Sequence, residues 1–168
     1  MTEEKNVNGK KALRDLAIKI GMYILAVILL FTFVLDIKIQ YGNNMYPAIR
    51  DGELVITNRL AHSDVETPVI YKHDGKKKVG RIIATEGQVV SISGNGKLLI
   101  NGVQPAEEIF YKTSKADSKI KYPYTVPSGH FFILNDYRSD MNDSRTYGAI
   151  AKSDVHGPVL LTIRRRGF

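Results

Sequence analysis

The sequence predicts an all-β extracytoplasmic domain preceded by one N-terminal transmembrane α-helix. Two observations support this fold class: an uncharged apolar run from Ile20 to Leu35, and after it a series of short apolar segments separated by turn residues. The first pattern is typical of a membrane span and the second of an all-β domain. Residues 36–168 show no internal repeat and are enough for one domain with its own core.

The apolar run is predicted to be an uncleaved membrane anchor. Leu16, Ala17 and Ile18 extend it to residues 16–35 if Lys19 directs its amine outward. About 20 residues at ~1.5 Å per residue then cover a hydrocarbon core of ~30 Å. A cleaved signal peptide is the alternative, but its apolar part is shorter and ends in a small-residue cleavage site. Here Leu35 leads into Asp36 and Ile37 instead.

The charges around the run predict the orientation of the chain. Five basic residues precede or begin the span, namely Lys5, Lys10, Lys11, Arg14 and Lys19. Basic residues accumulate on the cytoplasmic side of membrane spans. We therefore predict a single-pass protein of the cell membrane, with residues 1–15 in the cytoplasm and the domain 36–168 outside the cell.

The external part reads as short strands between turns. The strand candidates are Glu53–Thr57, Val79–Ala84, Val89–Ile92, Leu98–Ile100, Phe131–Leu134 and Val159–Ile163. The turn signals are Asp51-Gly52, Asp74-Gly75, Gly94-Asn95-Gly96 and Asn101-Gly102. The stretch from Tyr111 to Tyr124 is rich in Lys, Ser and Tyr without a clear period, so we predict a long, mobile surface loop there.

The amino-acid composition limits the kinds of ligand and partner that the chain can bind. There is no cysteine, so neither a disulfide framework nor a thiolate metal site can form. The four histidines are scattered, so we expect no metal and no cofactor. The net charge is +7; for a domain outside the membrane we expect anionic lipid or cell wall as the partner rather than nucleic acid. The basic runs Lys76–Lys78 and Arg164–Arg166 are most simply solvated.

Four segments follow one another in an order that resembles a known family. They are Gly42-Asn43-Asn44-Met45-Tyr46-Pro47 with Asp51-Gly52; Gly80-Arg81-Ile82-Ile83 with Gly87 and Gly96–Gly102; Val126–Gly129 with Phe132–Leu134; and Asn135–Gly148. Together with the anchor, these segments resemble the conserved boxes of type I signal peptidases, which cleave with a serine nucleophile and a lysine base. The resemblance covers nearly the whole chain and implies signal-peptidase-like antiparallel sheets.

The residues that match the family's boxes are structural in kind. Pro47 and Gly148 suit rigid corners and turns. Asp136, Arg138, Asp143 and Arg145 are opposite charges close in sequence, able to form bidentate pairs that tie neighbouring loops together. Ser139 and Ser144 are expected to make turn or cap hydrogen bonds.

The departures from the family fall on the chemistry. The resemblance puts Asn44 at the nucleophile position, Gly80 at the base position and Met141 where a serine orients the lysine. A carboxamide cannot act as the nucleophile and glycine has no side chain, whereas Met141 can fill apolar space once no ammonium is buried there. Lys78 precedes Gly80 by two residues, about 6.5 Å along a strand, which is too far to replace the base without a backbone shift.

The resemblance therefore implies a degenerate enzyme, similar to the signal-peptidase-like proteins of Gram-positive pilus assembly that lack the Ser/Lys pair. It implies an accessory factor or chaperone in which a cleft with a neutral floor binds peptide. The cleft residues are expected to be Gly42, Asn43, Asn44, Met45, Arg81, Ile82 and Ile83. The implied partners are pilin subunits or their signal or sorting segments, with a class C sortase as a further candidate. An active type I signal peptidase and a structural scaffold without a cleft are the alternatives.

Overall fold

The computed structural model describes residues 2–106, 109, 111–115 and 118–164. It divides into two compact units, Met1–Leu35 and Asp36–Phe168. The first unit is helical: α1 spans Thr2–Leu29 and continues as a π-helical turn over Leu30–Val34. Its segment Lys11–Val34 has a mean hydropathy of 2.4 and is not buried within the protein, so it is long and apolar enough to cross a membrane.

The second unit is built from antiparallel strands. Its strands are β1 (Leu35–Ile39), β2 (Leu54–Asn58), β3 (Pro68–His73), β4 (Lys76–Thr85), β5 (Val89–Ile92), β6 (Leu98–Ile100), β7 (Tyr124–Thr125), β8 (His130–Leu134), β9 (Ile150–Ala151) and β10 (Val155–Ile163). A seven-stranded sheet has the order β1-β2-β10-β3-β4-β8-β9, and a three-stranded sheet has the order β6-β5-β7. A short helix, α2, spans Ser144–Tyr147. The all-β prediction with one apolar N-terminal helix is confirmed.

Two of the strands that the sequence prediction missed are β1 and β3. Strand β1 begins at Leu35, which we had assigned to the membrane span. Strand β3 lies between β10 and β4 and buries Val69, Ile70 and Tyr71. Its apolar run is only three residues long and follows a proline, which a strand tolerates at its first position. All six predicted segments do form strands.

Three apolar clusters form the core of this unit. One packs the two sheets together through residues such as Val90, Leu98 and Phe132. A second lies around Tyr71, Ile82 and Ile133. The third contains Met45, Ile49, Val55, Ile70 and Val79. The second and third clusters lie on opposite faces of β4, because successive side chains of a strand alternate between its faces.

The segment from Tyr111 to Tyr124 was predicted to be a long, mobile surface loop. Its described part contains no helix or strand before Tyr124, as predicted, its mobility stays a prediction, and it is anchored at Thr113. Thr113 is buried, and its hydroxyl accepts a hydrogen bond from Arg138 at 2.7 Å. Its backbone N–H donates to the Gly96 carbonyl at 2.9 Å. The segment lacks regular periodicity because polar contacts hold it rather than a repeated apolar face. Residues 116 and 117 of the prediction lie outside the described residues.

Candidate functional site

A groove of about 720 Å³ lies between β1 and the first half of β4. Residues 37–44, from β1 and the turn after it, form one wall. Lys77, Lys78 and Val79 of β4 form the other. Asn135, which follows β8, reaches the groove as well. The groove therefore collects the segment around Asn44 and the strand that carries Gly80.

Both walls of the groove present strand edges. β1 is the terminal strand of its sheet. Gln40 exchanges both of its backbone hydrogen bonds with the β2 side, at 2.8 Å to Glu53 and 2.9 Å from Gly52. Bonding alternates along an antiparallel strand, so the backbone N–H of Ile39 points away from β2. On the other wall, the Val79 carbonyl faces the groove, where it accepts a hydrogen bond from Asn44.

Asn44 has its amide fully engaged. Its Nδ2 donates to the Val79 carbonyl at 3.1 Å and to Asn135 Oδ1 at 2.9 Å. Its Oδ1 accepts a short hydrogen bond from Gln40 Nε2. Gln40 and Asn135 are each only 1% exposed, so the three amides form a fixed, uncharged floor. The floor is therefore neutral and contains no nucleophilic group.

A side chain at Gly80 would force its packed neighbours to shift. A Cβ built on it would lie 2.5 Å from Ile133 Cγ2 and 3.1 Å from Tyr71 Cε1. Contacts under 3.0 Å essentially do not occur for Cβ atoms, and both neighbours are fully buried. The space in which a lysine at this position would begin is thus filled by packed side chains of β3 and β8.

The ionisable groups nearest to Gly80 cannot act as a base in place of a lysine. The hydroxyls of Tyr71 and Tyr147 lie 2.6 Å apart, and burial raises the pKa of both far above neutrality. Lys78 directs its ammonium at Asn142 Oδ1, at 2.8 Å, and over the Tyr147 ring, 4.8 Å from its centroid. Lys78 lines the same groove as Asn44 but is held by other partners.

The loop after β8 is held by a buried ion pair. Asp143 and Arg145 are both fully buried, and the carboxylate accepts from Arg145 Nε at 2.9 Å and from Nη2 at 2.6 Å. Asp143 also caps α2 through Arg145 N and accepts from Asn135 N at 3.0 Å. Ser144 Oγ accepts from the Ile133 N–H at 3.0 Å, so it bonds to a strand rather than capping a turn.

The second pairing in this loop differs from the prediction. Asp136 binds Arg81 in a bidentate pair, at 2.8 Å to Nε and 2.6 Å to Nη2. Arg138 donates to the Asn135 carbonyl and to the Thr113 hydroxyl. Arg81 was close to Asp136 in space but 55 residues away in sequence, so local charge order could not reveal the pair.

The predicted cleft residues divide into two groups. Gly42, Asn43 and Asn44 line the groove. Met45 is fully buried in the core, as is Ile82, and Ile83 is 3% exposed. At 80–83, β4 is bonded to β8 and to the segment before β3, with Ile82 N–H donating to the Thr67 carbonyl. The prediction of a cleft wall at 81–83 is therefore wrong, because that part of β4 has no free edge.

The remaining residues of the groove walls were not assigned to the cleft in the sequence analysis. Residues 37–40 and 77–79 line the groove. The signal for β1 was the alternation Ile37-Lys38-Ile39 directly after the apolar helix. The prediction missed it because the apolar run before it was extended to Leu35.

A family model described as signal peptidase, peptidase S26, matches residues 13–163. The chain belongs to this family. It is 29% identical to Signal peptidase I T of Bacillus subtilis over 181 residues, which covers 94% of this chain and 92% of that protein. It is 27% identical to Inactive signal peptidase IA of Staphylococcus aureus strain N315 over 165 residues, covering 90% and 91%. The family thus includes relatives named as peptidases and relatives named as inactive.

A solved signal peptidase I from Enterococcus faecalis V583 shares the fold. The similarity has a TM-score of 0.51 at 23% identity and covers 58% of this chain and 97% of that structure. Together with the apolar helix, membership of the signal peptidase family fits a single-pass membrane protein. Among the described residues of this family member, no group of three His, Asp or Glu side chains is placed to hold a metal ion.

The remaining family-box residues occupy structural positions. Pro47 lies in the turn that leads from the groove towards β2. Gly148 ends α2 with φ +85°, a conformation that favours glycine. Met141 is half-buried, and its carbonyl accepts a hydrogen bond from Thr146. That its side chain replaces a lysine-orienting serine by apolar filling stays a prediction.

Some residues of the basic runs that were predicted to be solvated form ion pairs. Arg164 Nε lies 2.6 Å from Glu53 Oε1, and Glu53 is buried. Lys77 binds Asp36 at 2.5 Å. Arg165 and Arg166 lie outside the described residues. These basic runs are therefore not fully solvated, because Lys77 and Arg164 form ion pairs with buried carboxylates.

Asp36 closes one end of the groove by linking β1 to β4. It is 5% exposed and contacts Lys77, His156 and, at 3.5 Å, Arg59. Burial raises the pKa of the Asp36 carboxyl, but hydrogen bonds from Lys77 and His156 outweigh burial and leave the pKa below its usual range. Such a carboxyl stabilises the fold above its unfolded pKa, and the effect is lost as the pH falls through the lower, folded value.

Asp36→Asn is therefore expected to lower the free energy of unfolding by about 1–3 kcal/mol at pH 7, because it weakens charge-assisted hydrogen bonds. The difference from the native chain should shrink as the pH falls below about 4. Thermal unfolding between pH 3 and pH 7 measures it. Asp74→Asn is the control, because Asp74 is 88% exposed. A difference that stays constant across this pH range would contradict the assignment.

Proposed function

We propose that this chain is a non-catalytic member of the signal peptidase family that holds an extended peptide in the groove between β1 and β4. One observation carries the proposal: Asn44, which the resemblance puts at the nucleophile position, has both its amide nitrogen and its amide oxygen hydrogen-bonded at the floor of an open groove. The packing of Ile133 and Tyr71 over Gly80 supports the loss of catalysis, because a lysine base has no space.

The edges of the groove suggest how a peptide is held. An extended peptide can add to an exposed strand edge through its main chain, while pockets read alternate side chains. From the alternation of bonding along an antiparallel strand, the backbone N–H of Ile39 is expected to face the groove. The groove wall also includes the half-exposed side chain of Ile39. A peptide lying there would pair with β1 and would meet no group able to cut it.

The role we propose is that of an accessory factor or chaperone in the assembly of sortase-polymerised pili. The support is the resemblance to signal-peptidase-like proteins that lack the Ser/Lys pair, together with a relative named Inactive signal peptidase IA. The proposed ligands are pilin subunits or their signal or sorting segments, held close to a class C sortase. The N-terminus would be cytoplasmic and the β unit extracellular, against anionic lipid.

The first test is binding and cleavage of a pilin precursor that carries its signal peptide, using the full-length protein in detergent beside an active signal peptidase. We expect bound, uncut precursor. Ile39→Pro should weaken binding at least about tenfold, because proline removes the N–H that an added strand would use and is tolerated on an edge strand. The control is Ile39→Val, which keeps both the N–H and a β-branched side chain and should bind within about twofold of the native chain.

The outcomes separate the alternatives. Specific cleavage after the signal peptide would show an active signal peptidase with another nucleophile and would overturn the proposal. Absence of binding, or equal binding by both Ile39 variants, would remove the groove as the peptide site. Loss of function on charge reversal at Lys76, with Ile39→Pro unaffected, would favour a structural scaffold instead.

A further inference from the structure

Two lysine ammonium groups in the groove contact neutral groups: oxygens in both cases and, for Lys78, also the Tyr147 ring, 4.8 Å from its centroid. Lys38 Nζ donates to Gln40 Oε1 at 3.0 Å and to the Ile39 carbonyl at 3.2 Å. Lys78 Nζ donates to Asn142 Oδ1 at 2.8 Å. In the described part of the chain, neither ammonium lies within 4.0 Å of a carboxylate. Lys77, between β1 and Lys78, is different because Asp36 neutralises it.

These two lysines line opposite walls of one groove, Lys38 on β1 and Lys78 on β4. The floor between the walls is the uncharged amide cluster of Gln40, Asn44 and Asn135. Asp140 is the one acidic residue among the lining residues, and its Oδ1 accepts from the Asn142 N–H at 2.9 Å. The groove therefore presents two ammonium groups without a carboxylate partner within 4.0 Å among the described residues, and one carboxylate, that of Asp140, which attracts Lys78 from farther away.

Both ammonium groups are partly withdrawn from water. Burial lowers the pKa of Lys38 and likewise of Lys78. For Lys78, nearby acidic groups including Asp74 and Asp140 only partly offset that effect. A partly desolvated ammonium gains more from an ionised partner than a fully hydrated one, since a charge-assisted hydrogen bond replaces lost hydration.

We infer that the groove selects an extended peptide bearing a carboxylate, which the ammonium groups of Lys38 and Lys78 bind. The inference rests on the proposed peptide-holding function and names the class of peptide. A strand added along Ile39 runs beside Lys38 on one wall and faces Lys78 on the other. The carboxylate is an acidic side chain or the peptide's own C-terminus, since both present the same two oxygens.

The test uses three fluorescent decapeptides and the full-length protein in neutral detergent. One peptide has a central Glu and an amidated C-terminus, the second has Gln in its place, and the third has Gln with a free C-terminus. Fluorescence anisotropy gives each Kd. We expect at least one carboxylate peptide to bind about tenfold or more tighter than the uncharged peptide, and added salt to reduce the difference.

Lys38→Gln and Lys78→Gln should each reduce that preference, taken as the ratio of the two Kd values measured on the same variant, to about threefold or less. Circular dichroism and thermal unfolding check that each variant is folded. Lys76→Gln is the matched control, because Lys76 is exposed on the same strand and does not line the groove. It removes the same charge and should leave the preference intact.

The outcomes distinguish this inference from the proposed function. Equal affinity for all three peptides, with binding still lost in Ile39→Pro, would overturn carboxylate selection but keep peptide holding. No binding of any peptide would overturn both. A preference that survives in Lys38→Gln and Lys78→Gln, or that Lys76→Gln also removes, would overturn the assignment to these two lysines. Preference for the free C-terminus over Glu would identify the chain end as the source.

Discussion

Gly80→Lys is expected to destabilise the β unit by at least about 3 kcal/mol rather than to restore a base. Its Cβ would lie 2.5 Å from Ile133 Cγ2, between side chains that are fully buried. Overpacking of this kind costs about 1–3 kcal/mol. An ammonium forced into the same largely apolar cluster adds a further cost because it loses its hydration. The measurement is thermal or urea unfolding of the full-length protein, followed by a spectroscopic signal of the β unit.

The control for this substitution is Gly94→Lys. A Cβ at Gly94 meets nothing within 4 Å, and its backbone does not require glycine. The same change of residue there should shift the free energy of unfolding by no more than about 0.5 kcal/mol. Equal stability of the two lysine variants would contradict the packing argument.

A double-mutant cycle identifies the clash. Gly80→Ala adds only the Cβ, and Ile133→Ala removes the Cγ2 that it would meet. We expect the cost of Gly80→Ala to fall in the Ile133→Ala background, with a coupling of about 1–2 kcal/mol. Strictly additive costs would mean that Gly80 is required for some other reason.

The clash also predicts the outcome of a triple substitution that introduces the family's catalytic residues. The variant Asn44→Ser, Gly80→Lys, Met141→Ser introduces the three residues that the resemblance implies at these positions but leaves Ile133 and Tyr71 in place. We therefore expect it to be unstable and inactive. Recovery of signal-peptide cleavage by the triple variant alone would show that β4 and β8 can separate at little cost.

The resemblance implies that Gly80 replaces a lysine, but the sequence did not reveal that the space beside Gly80 is filled. The packing depends on β3 and β8, which lie on either side of β4. Tyr71 and Ile133 are 9 and 53 residues away along the chain, and β3 itself was not predicted. Long-range pairing of this kind leaves no local pattern in the sequence. Only the structure shows that the space beside Gly80 is filled rather than empty.

Of the two walls of the groove, the sequence analysis named residues of only one, the wall around Asn44. Asn44 and its neighbours were found because the family box names them. The opposite wall was placed at 81–83, two to four residues too far along β4, since that segment carries the motif. Which part of β4 keeps a free edge depends on where β8 begins to pair, at Arg81 with Leu134. That register cannot be read from residue types alone.

Asp143→Ala is expected to lower the free energy of unfolding by about 3–5 kcal/mol. It would leave the fully buried guanidinium of Arg145 without its carboxylate and would also remove the acceptor for the N–H groups of Asn135 and Arg145. An uncompensated buried charge costs far more than the net contribution of the pair. Denaturant unfolding measures the loss. Asp154→Ala is the control, since Asp154 is exposed.

The same substitution tests whether the loop after β8 supports the groove. Asp143 fixes Asn135 through its backbone N–H, and Asn135 in turn accepts from Asn44 on the groove floor. At a temperature where Asp143→Ala is still folded, peptide affinity should therefore fall by about fivefold or more, with the floor no longer held in place. Unchanged affinity in a destabilised protein would mean that the ion pair stabilises the fold without positioning the floor. The groove would then depend on β1 and β4 alone.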